Sequence, residues 1–336
     1  MAQRLSKLEL DIPDLEKLEQ QHFKKIITQK KIRPETVIKT KDKIFITAPK
    51  NNATCPTCNS TYFIKNGTRH NKVRIVQRYV CKSCGVQFDF SVIGFKGLRV
   101  KTEAIAQTMQ LYFTGESIRN IAKFLQMQGI EISSGGVFYW IKKYVKLMKV
   151  FLDQFTPKVS DKWRCDEIYL KIQGKPKYLF VLMDDETRFV LAYYIADTKK
   201  THKANKLFQM AITKAQKNPK IFTTDSMPSY KKAFGEVFDS QVTEHVRANY
   251  SNGTKWKNNL MERWNGTFRQ RSKSFRAIKN MNSVSVDGFI LYYNFIRDHM
   301  GINAIPSERA GIYIEDNKWD TLIQNATIEK EVSCQN

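Results

Sequence analysis

Apolar positions recur at helical spacing through three consecutive stretches, then at strand spacing, then at helical spacing again. Thr102–Phe113, stopped by Thr114-Gly115, reads as the first helix, and Ser117–Met127, closed by Gly129, as the second. A third opens after Ile132, with Ser133 or Ser134 as N-cap, and is anchored by Val137, Trp140 and Ile141. After the polar linker Thr156–Lys162 the pattern changes. Ile168, Leu170 and Ile172 alternate with Tyr169, Lys171 and Gln173, and Gly174 ends the strand. Tyr178–Met183 and Arg188–Ile195 follow across short turns, which predicts an antiparallel meander. A helix over about Lys203–Gln216, a strand at Lys220–Thr224, a helix at Tyr230–Phe234 and a strand at Val242–Val246 come next. From about Lys257 the chain is helical again.

Three strands, helix, strand, helix, strand is the order of an RNase H-like α/β domain with a mixed five-stranded sheet. The expected fold is multidomain, with an all-α helix-turn-helix and a small cysteine-bearing module ahead of that sheet. The divisions read as 1–50, 51–95, 100–155, 160–300 and a tail at 301–336. In the first of these, Leu15, Leu18, Phe23, Ile26 and Ile27 could form an amphipathic helix after Pro13, though a frayed segment fits its charge equally well. KIFIT, Lys43–Thr47, looks like a short strand.

The formal net charge of +24 changes the picture more than any other bulk property. Such an excess costs self-repulsion in the compact state and signals a polyanionic partner. Nucleic acid comes first and an anionic membrane surface second. No apolar run reaches the roughly 18 residues of a spanning helix, and the N-terminus lacks an uninterrupted apolar signal segment. The expectation is a cytoplasmic protein without membrane partners, nucleoid-associated when bound to DNA.

Four of the six cysteines form two CxxC pairs, Cys55/Cys58 and Cys81/Cys84, about twenty residues apart. Each pair makes a tight knuckle, and two knuckles give a tetrahedral thiolate site. A pair of disulfides would use the same residues, but nothing marks a secreted chain. One structural Zn²⁺ in a zinc ribbon is expected, closed by four sulfurs. Cys165 and Cys334 read as ordinary thiols.

The three helices after the ribbon suggest a helix-turn-helix; a plain bundle with a solvated lysine face is the alternative. Ser134, Lys142, Lys143 and Lys146 on the third helix are the DNA-binding candidates there.

Three acids fall where chemistry could use them. Asp166 lies on the first strand of the meander, Asp225 at the C-terminal end of a later strand, and Glu262 on a helix. Phosphodiester chemistry uses such hard oxygens to hold two Mg²⁺ (or Mn²⁺) ions. Singly, Asp225 could be a turn residue, Glu262 a solvated helix acid and Asp166 an exposed strand end. Gly266 and Arg269 follow Glu262 on one helix face, where Arg269 and Lys273 would meet a phosphate. Trp264 and Phe268 fall on a core-facing stripe. Strand alternation gives Asp166 the apolar face and leaves Glu167 with Tyr169 and Lys171, as a supporting or solvated neighbour.

From about Thr114 the chain resembles the DDE-type insertion-sequence transposases of the IS-six-like group, in the integrase superfamily. The resemblance rests on GESIRNIAKFLQMQGIEISSGGVFYWIKKY, on WRCDEIYLKIQGK with its Asp-Glu-x-Tyr signature, and on IFTTDSMPSYKKAF. MERWNGTFRQRSKSFR and the Tyr-Asn-Phe-x-Arg-x-His tail complete it. It implies Asp166, Asp225 and Glu262 as the metal-binding triad and Arg269 in a catalytic basic role. It further implies cleavage and strand transfer at terminal inverted repeats, with double-stranded element ends and target DNA as partners and a homodimer or higher oligomer on DNA. The ribbon and the first fifty residues exceed what short members of the group carry. An inert transposase-derived DNA-binding protein and an RNase H-like structure-selective nuclease are the rival readings.

Overall fold

A computed structural model of the chain describes residues 36–48, 55, 57–58, 60–70, 75–89, 102–248, 258–275, 278, 281 and 283–327. The helix expected over Leu15–Ile27 and the thiol of Cys334 lie outside them. The described residues fall in two compact units, the smaller within Lys50–Arg99 and the larger built from Glu35–Pro49 and Val100–Ala326. Among the described residues no helix is long and apolar enough to cross a membrane.

The larger unit opens with a hairpin of β1 (Val37–Lys39) and β2 (Ile44–Ile46), the latter being the expected KIFIT strand. The smaller unit is an antiparallel sheet of β3 (Phe63–His70), β4 (Ile75–Cys81) and β5 (Gln87–Asp89). Phe63 meets Tyr79 and Phe88 edge-on, with ring centroids 5.5 and 5.6 Å apart. Among the described residues these rings form the aromatic cluster of the sheet, and so small a unit buries little apolar surface.

Three helices resume the larger unit: α1 (Thr102–Thr114), α2 (Ile118–Met127) and α3 (Ser134–Leu152). Ser117 and Ser133 are the N-caps of α2 and α3, accepting from the backbone N–H of Asn120 and Gly136 at 3.2 and 3.1 Å. Ser133, not Ser134, thus ends the turn between α2 and α3.

The mixed sheet follows: β6 (Lys162–Ile172), β7 (Lys175–Asp184), β8 (Val190–Ala196), β9 (Ile221–Thr224) and β10 (Glu244–Arg247). Its order is β10-β9-β6-β7-β8, with the meander antiparallel and β9 and β10 parallel to β6. This is the five-stranded arrangement expected of the RNase H-like order. Helix α4 (Thr201–Ala215) follows β8, and α5 (Pro228–Val237), with Pro228 at its start, follows β9.

After α6 (Asn259–Ser272) comes α7 (Val284–Phe295), which is buried almost all round. A helix with no polar face must be enclosed on every side. Tyr112 and Ser285 share a hydroxyl hydrogen bond of 3.0 Å, and Lys149 of α3 pairs with Asp287 at 2.7 Å. From the other end, Asn294 exchanges two hydrogen bonds with the backbone of Val190 on β8. Helices α1 and α3 therefore share one core with the sheet, through α7.

Residues 301–327 are part of that core too. They carry α8 (Pro306–Arg309), β11 (Ile312–Ile314) and α9 (Lys318–Thr327). β11 adds in parallel to β2, and Trp319 stacks on Phe113 at 5.9 Å.

Candidate active site and metal centres

β6 and β9 run parallel in the register Arg164↔Thr223. Two residues further along both chains, that register brings Asp225, just past the end of β9, beside Asp166. The side-chain oxygen of Asp225 accepts from Met227 N–H at 3.0 Å, which fixes it as the chain turns into α5. Asp166 Oδ1 accepts from the Glu167 N–H at 2.9 Å, and Oδ2 accepts from Asn265 Nδ2 of α6 at 2.8 Å.

Glu167 departs from the sequence reading. Alternation holds from Ile168 to Ile172, where Tyr169 and Lys171 are exposed. At Glu167 it fails, because α5 covers that side of the strand. The Glu167 side chain is only 5% exposed, accepts from Tyr230 Oη at 2.7 Å and pairs with Lys199 Nζ. It is not solvated. One carboxylate oxygen each of Asp166, Glu167 and Asp225 lies within 4.8 Å of the others.

Two of these carboxylates, Asp166 and Asp225, resist ionisation. Burial, then the charge of Glu167, pushes Asp166 up to about 6. Burial also raises Asp225, with Glu167 adding to it. A divalent cation would relieve that repulsion, and hard oxygen donors are what Mg²⁺ or Mn²⁺ takes. The donor set fits such an ion.

Glu262 does not join the cluster. It stands exposed in the first turn of α6, with Gly266, Arg269 and Lys273 on exposed positions of the same segment. Nothing lies within 4 Å of where a side chain at Gly266 would begin, so this face is open to a large ligand. Trp264 and Phe268 are buried, as expected, and stack at 5.5 Å.

On α3, Ser134, Lys142, Lys143 and Lys146 are all half-buried. The exposed positions at its N-terminal half are Gly135, Phe138 and Tyr139, the last two 41% and 56% exposed. A count of lysines misses these aromatics, which only the exposure of the helix surface brings out.

In the smaller unit the four cysteines converge. Cys55 Sγ lies 3.5 Å from Cys84 Sγ, Cys58 Sγ 3.5 Å from Cys81 Sγ, and all four sulfurs fall within 4.8 Å of one another. All four are free thiols. Tetrahedral Zn–S bonds of about 2.3 Å place sulfurs about 3.8 Å apart, so the set fits Zn²⁺. Gly85, at φ +76°, closes the second knuckle in a conformation other residues rarely adopt.

Sequence reasoning also missed Asn265, Tyr230 and Lys199. Asn265 left a faint trace, as a poor helix former in mid-helix at a core-facing position. Tyr230 and Lys199 left none, since only the tertiary fold brings them to Glu167.

The region that holds this cluster is similar to known proteins. Residues 160–299 match the family model of a DDE domain of the IS240 transposase type. The transposase for the insertion sequence-like element IS431mec of Staphylococcus aureus is 26% identical over 162 residues, 48% of this chain and 70% of that protein. The transposase for IS257 in transposon Tn4003, also from Staphylococcus aureus, matches at the same identity and coverage. Among solved structures, the magnesium-bound catalytic core of HTLV-2 integrase is 15% identical, with a TM-score of 0.36 over 45% of this chain and 97% of that one. A chain of the simian T-cell lymphotropic virus intasome in complex with PP2A regulatory subunit B56 gamma is 17% identical at a TM-score of 0.35, over 45% of this chain and 55% of that one. Those two are loose likenesses. The larger unit thus carries a DDE-type catalytic domain of the polynucleotidyl transferase class. Beyond that domain, the chain is similar to insertion-sequence transposases of Staphylococcus aureus.

Proposed function

We propose that this transposase binds the terminal inverted repeats of its own element, cleaves the DNA strand there and joins the freed 3′-hydroxyl to target DNA. The observation that carries the reading is the convergence of Asp166, midway along β6, and Asp225, just past the end of the parallel β9, inside a matched DDE domain. Asp166 and Asp225 would hold the divalent ions, with Glu262 reaching them from α6 once DNA is bound. When bound, such ions stabilise the attacking and leaving oxygens of an in-line displacement. Arg269 and Lys273, exposed on the same segment, would bind and orient the phosphates of the element end. No side chain is needed as a covalent nucleophile.

The helix-turn-helix would read the end, with Phe138 and Tyr139 joining Ser134, Lys142, Lys143 and Lys146. Cys55, Cys58, Cys81 and Cys84 would hold one structural Zn²⁺ in a second DNA-binding module. Pairing two ends calls for a homodimer or larger assembly.

The test is end recognition followed by metal-dependent cleavage. The DNA flanking the coding region should carry matching inverted repeats. A labelled repeat should bind about 10³-fold or more tightly than scrambled DNA at physiological salt. It should be nicked at the element boundary in Mg²⁺. Equal affinity for both sequences would replace this reading with a structure-selective nuclease.

A further inference from the structure

Two asparagines on the glutamate helix have no part in the reading above. Asn258, the N-cap residue of α6, and Asn265 are seven residues apart, so they share one face. They are 9% and 7% exposed. Each donates Nδ2 to one of two consecutive residues of β6: Asn258 to the carbonyl oxygen of Cys165 at 3.4 Å, Asn265 to Oδ2 of Asp166 at 2.8 Å. Each leaves its Oδ1 buried without a partner among the described residues. An acceptor left so costs about 1–3 kcal/mol. A helix that only had to pack against a strand would carry Leu or Ala there.

We propose that Asn265 is the positioning residue for Asp166, with Asn258 holding the same seam, so that the two amides set how the Asp166 carboxylate presents itself to a metal. The proposal rests on the reading of Asp166 as a metal ligand. With Oδ1 held by the Glu167 N–H and Oδ2 by Asn265, the carboxylate cannot rotate, yet each oxygen keeps a second lone pair for a cation. The amide is suited to this as neither an acid nor a lysine would be. An acid would add a fourth negative charge, and a lysine would compete for Asp166. Anchoring one helix to the metal strand at two consecutive residues also fixes the register of Glu262, one turn from Asn265.

The experiment uses the full-length, zinc-loaded protein with three substitutions: Asn265→Leu, Asn265→Ser and Asp166→Asn. Mn²⁺ binding is followed by electron paramagnetic resonance without DNA, Mg²⁺ dependence in the end-cleavage assay, and folding by thermal melts in EDTA. Asn265→Leu should weaken Mn²⁺ binding, and raise the Mg²⁺ concentration at half-maximal cleavage, by about 10-fold or more. Its EDTA melt should stay near wild type, and its loss of cleavage should be smaller at saturating metal than at low metal. Should Leu upset the packing, Asn265→Ser decides by the same criteria. Wild-type Mn²⁺ binding by whichever Asn265 variant keeps the wild-type EDTA melt overturns the inference. If Asp166→Asn loses Mn²⁺ in that case, the metal site stands and only the role of Asn265 fails. If Asp166→Asn also binds Mn²⁺ normally, the metal-site reading fails and the inference falls with it.

Discussion

Tyr230, on α5, donates its hydroxyl to Glu167 Oε2 at 2.7 Å, from the side of β6 opposite Asn265. One acid of the Asp166-Glu167 pair is thereby fastened to α5 and the other to α6. Lys199 takes the remaining Glu167 oxygen. Glu167 is thus a clamped anion, while Asp166 keeps lone pairs for a metal. Glu167→Gln and Tyr230→Phe should each slow cleavage by about 10–100-fold, as loss of a supporting partner does at metal sites. Asp166→Asn should cost on the order of 10³-fold or more. Single-turnover rates on a labelled element end check this. Equal inactivity of Glu167→Gln and Asp166→Asn would make Glu167 a ligand in its own right.

The raised pKa of Asp166 has a consequence for stability. Below the ordinary carboxylate range the group is protonated both folded and unfolded. As pH rises through about 4 to 6, the unfolded chain releases its proton first, so folding loses stability. Asp225 shifts in the same direction. The metal-free protein should lose on the order of 1–3 kcal/mol from Asp166 between pH 4 and 7, with Asp225 acting in the same direction. Mg²⁺ should restore stability at pH 7.5 and do little at pH 4.5, where protons compete with it. Melting curves in EDTA and in Mg²⁺ measure this, and an Asp166→Asn protein with an unchanged EDTA profile would refute it.

Metal removal should separate the two units. The β3–β5 sheet buries little beyond Phe63, Tyr79 and Phe88, so its four-thiol centre should supply most of its stability. Purified protein should contain one zinc per chain by mass spectrometry. Stripping it, or Cys81→Ser, should open residues 55–89 to protease while residues 102–327 keep their melting transition. Resistance of residues 55–89 in the stripped protein would count against a structural zinc.

Gly288 of α7 is packed so closely that a methyl group there would collide with Phe113 Cζ and lie 2.8 Å from Val145 Cγ2. Phe113 belongs to α1 and Val145 to α3. Gly288→Ala should destabilise the larger unit by about 1–3 kcal/mol through overpacking. Calorimetry should then find a lower melting temperature for that unit, and no change would mean that α1 and α3 are not fastened to α7.

Much of this was legible from local signals. The caps Ser117 and Ser133, the CxxC knuckles and the strand order each leave a mark within a few residues. Asp166 and Asp225 stood out because acids are rare where strands meet a core. Partners distant in sequence were hidden. The pairing of β2 with β11 joins residues about 270 positions apart, and no local pattern announces it. The burial of Glu167 depends on α5 closing over β6, so alternation alone left it open whether Glu167 is a supporting or a solvated neighbour. The lysines of α3 drew attention by charge, whereas exposure favours Phe138 and Tyr139.

The central claim is that Asp166 and Asp225 form one metal-dependent active site for strand cleavage and transfer. Its most direct test is a Mg²⁺ assay with the element end and target DNA, comparing wild type with Asp225→Ala. The variant should bind the end with unchanged affinity and give no nicked or joined product above background. Near-normal strand transfer by Asp225→Ala would contradict the account.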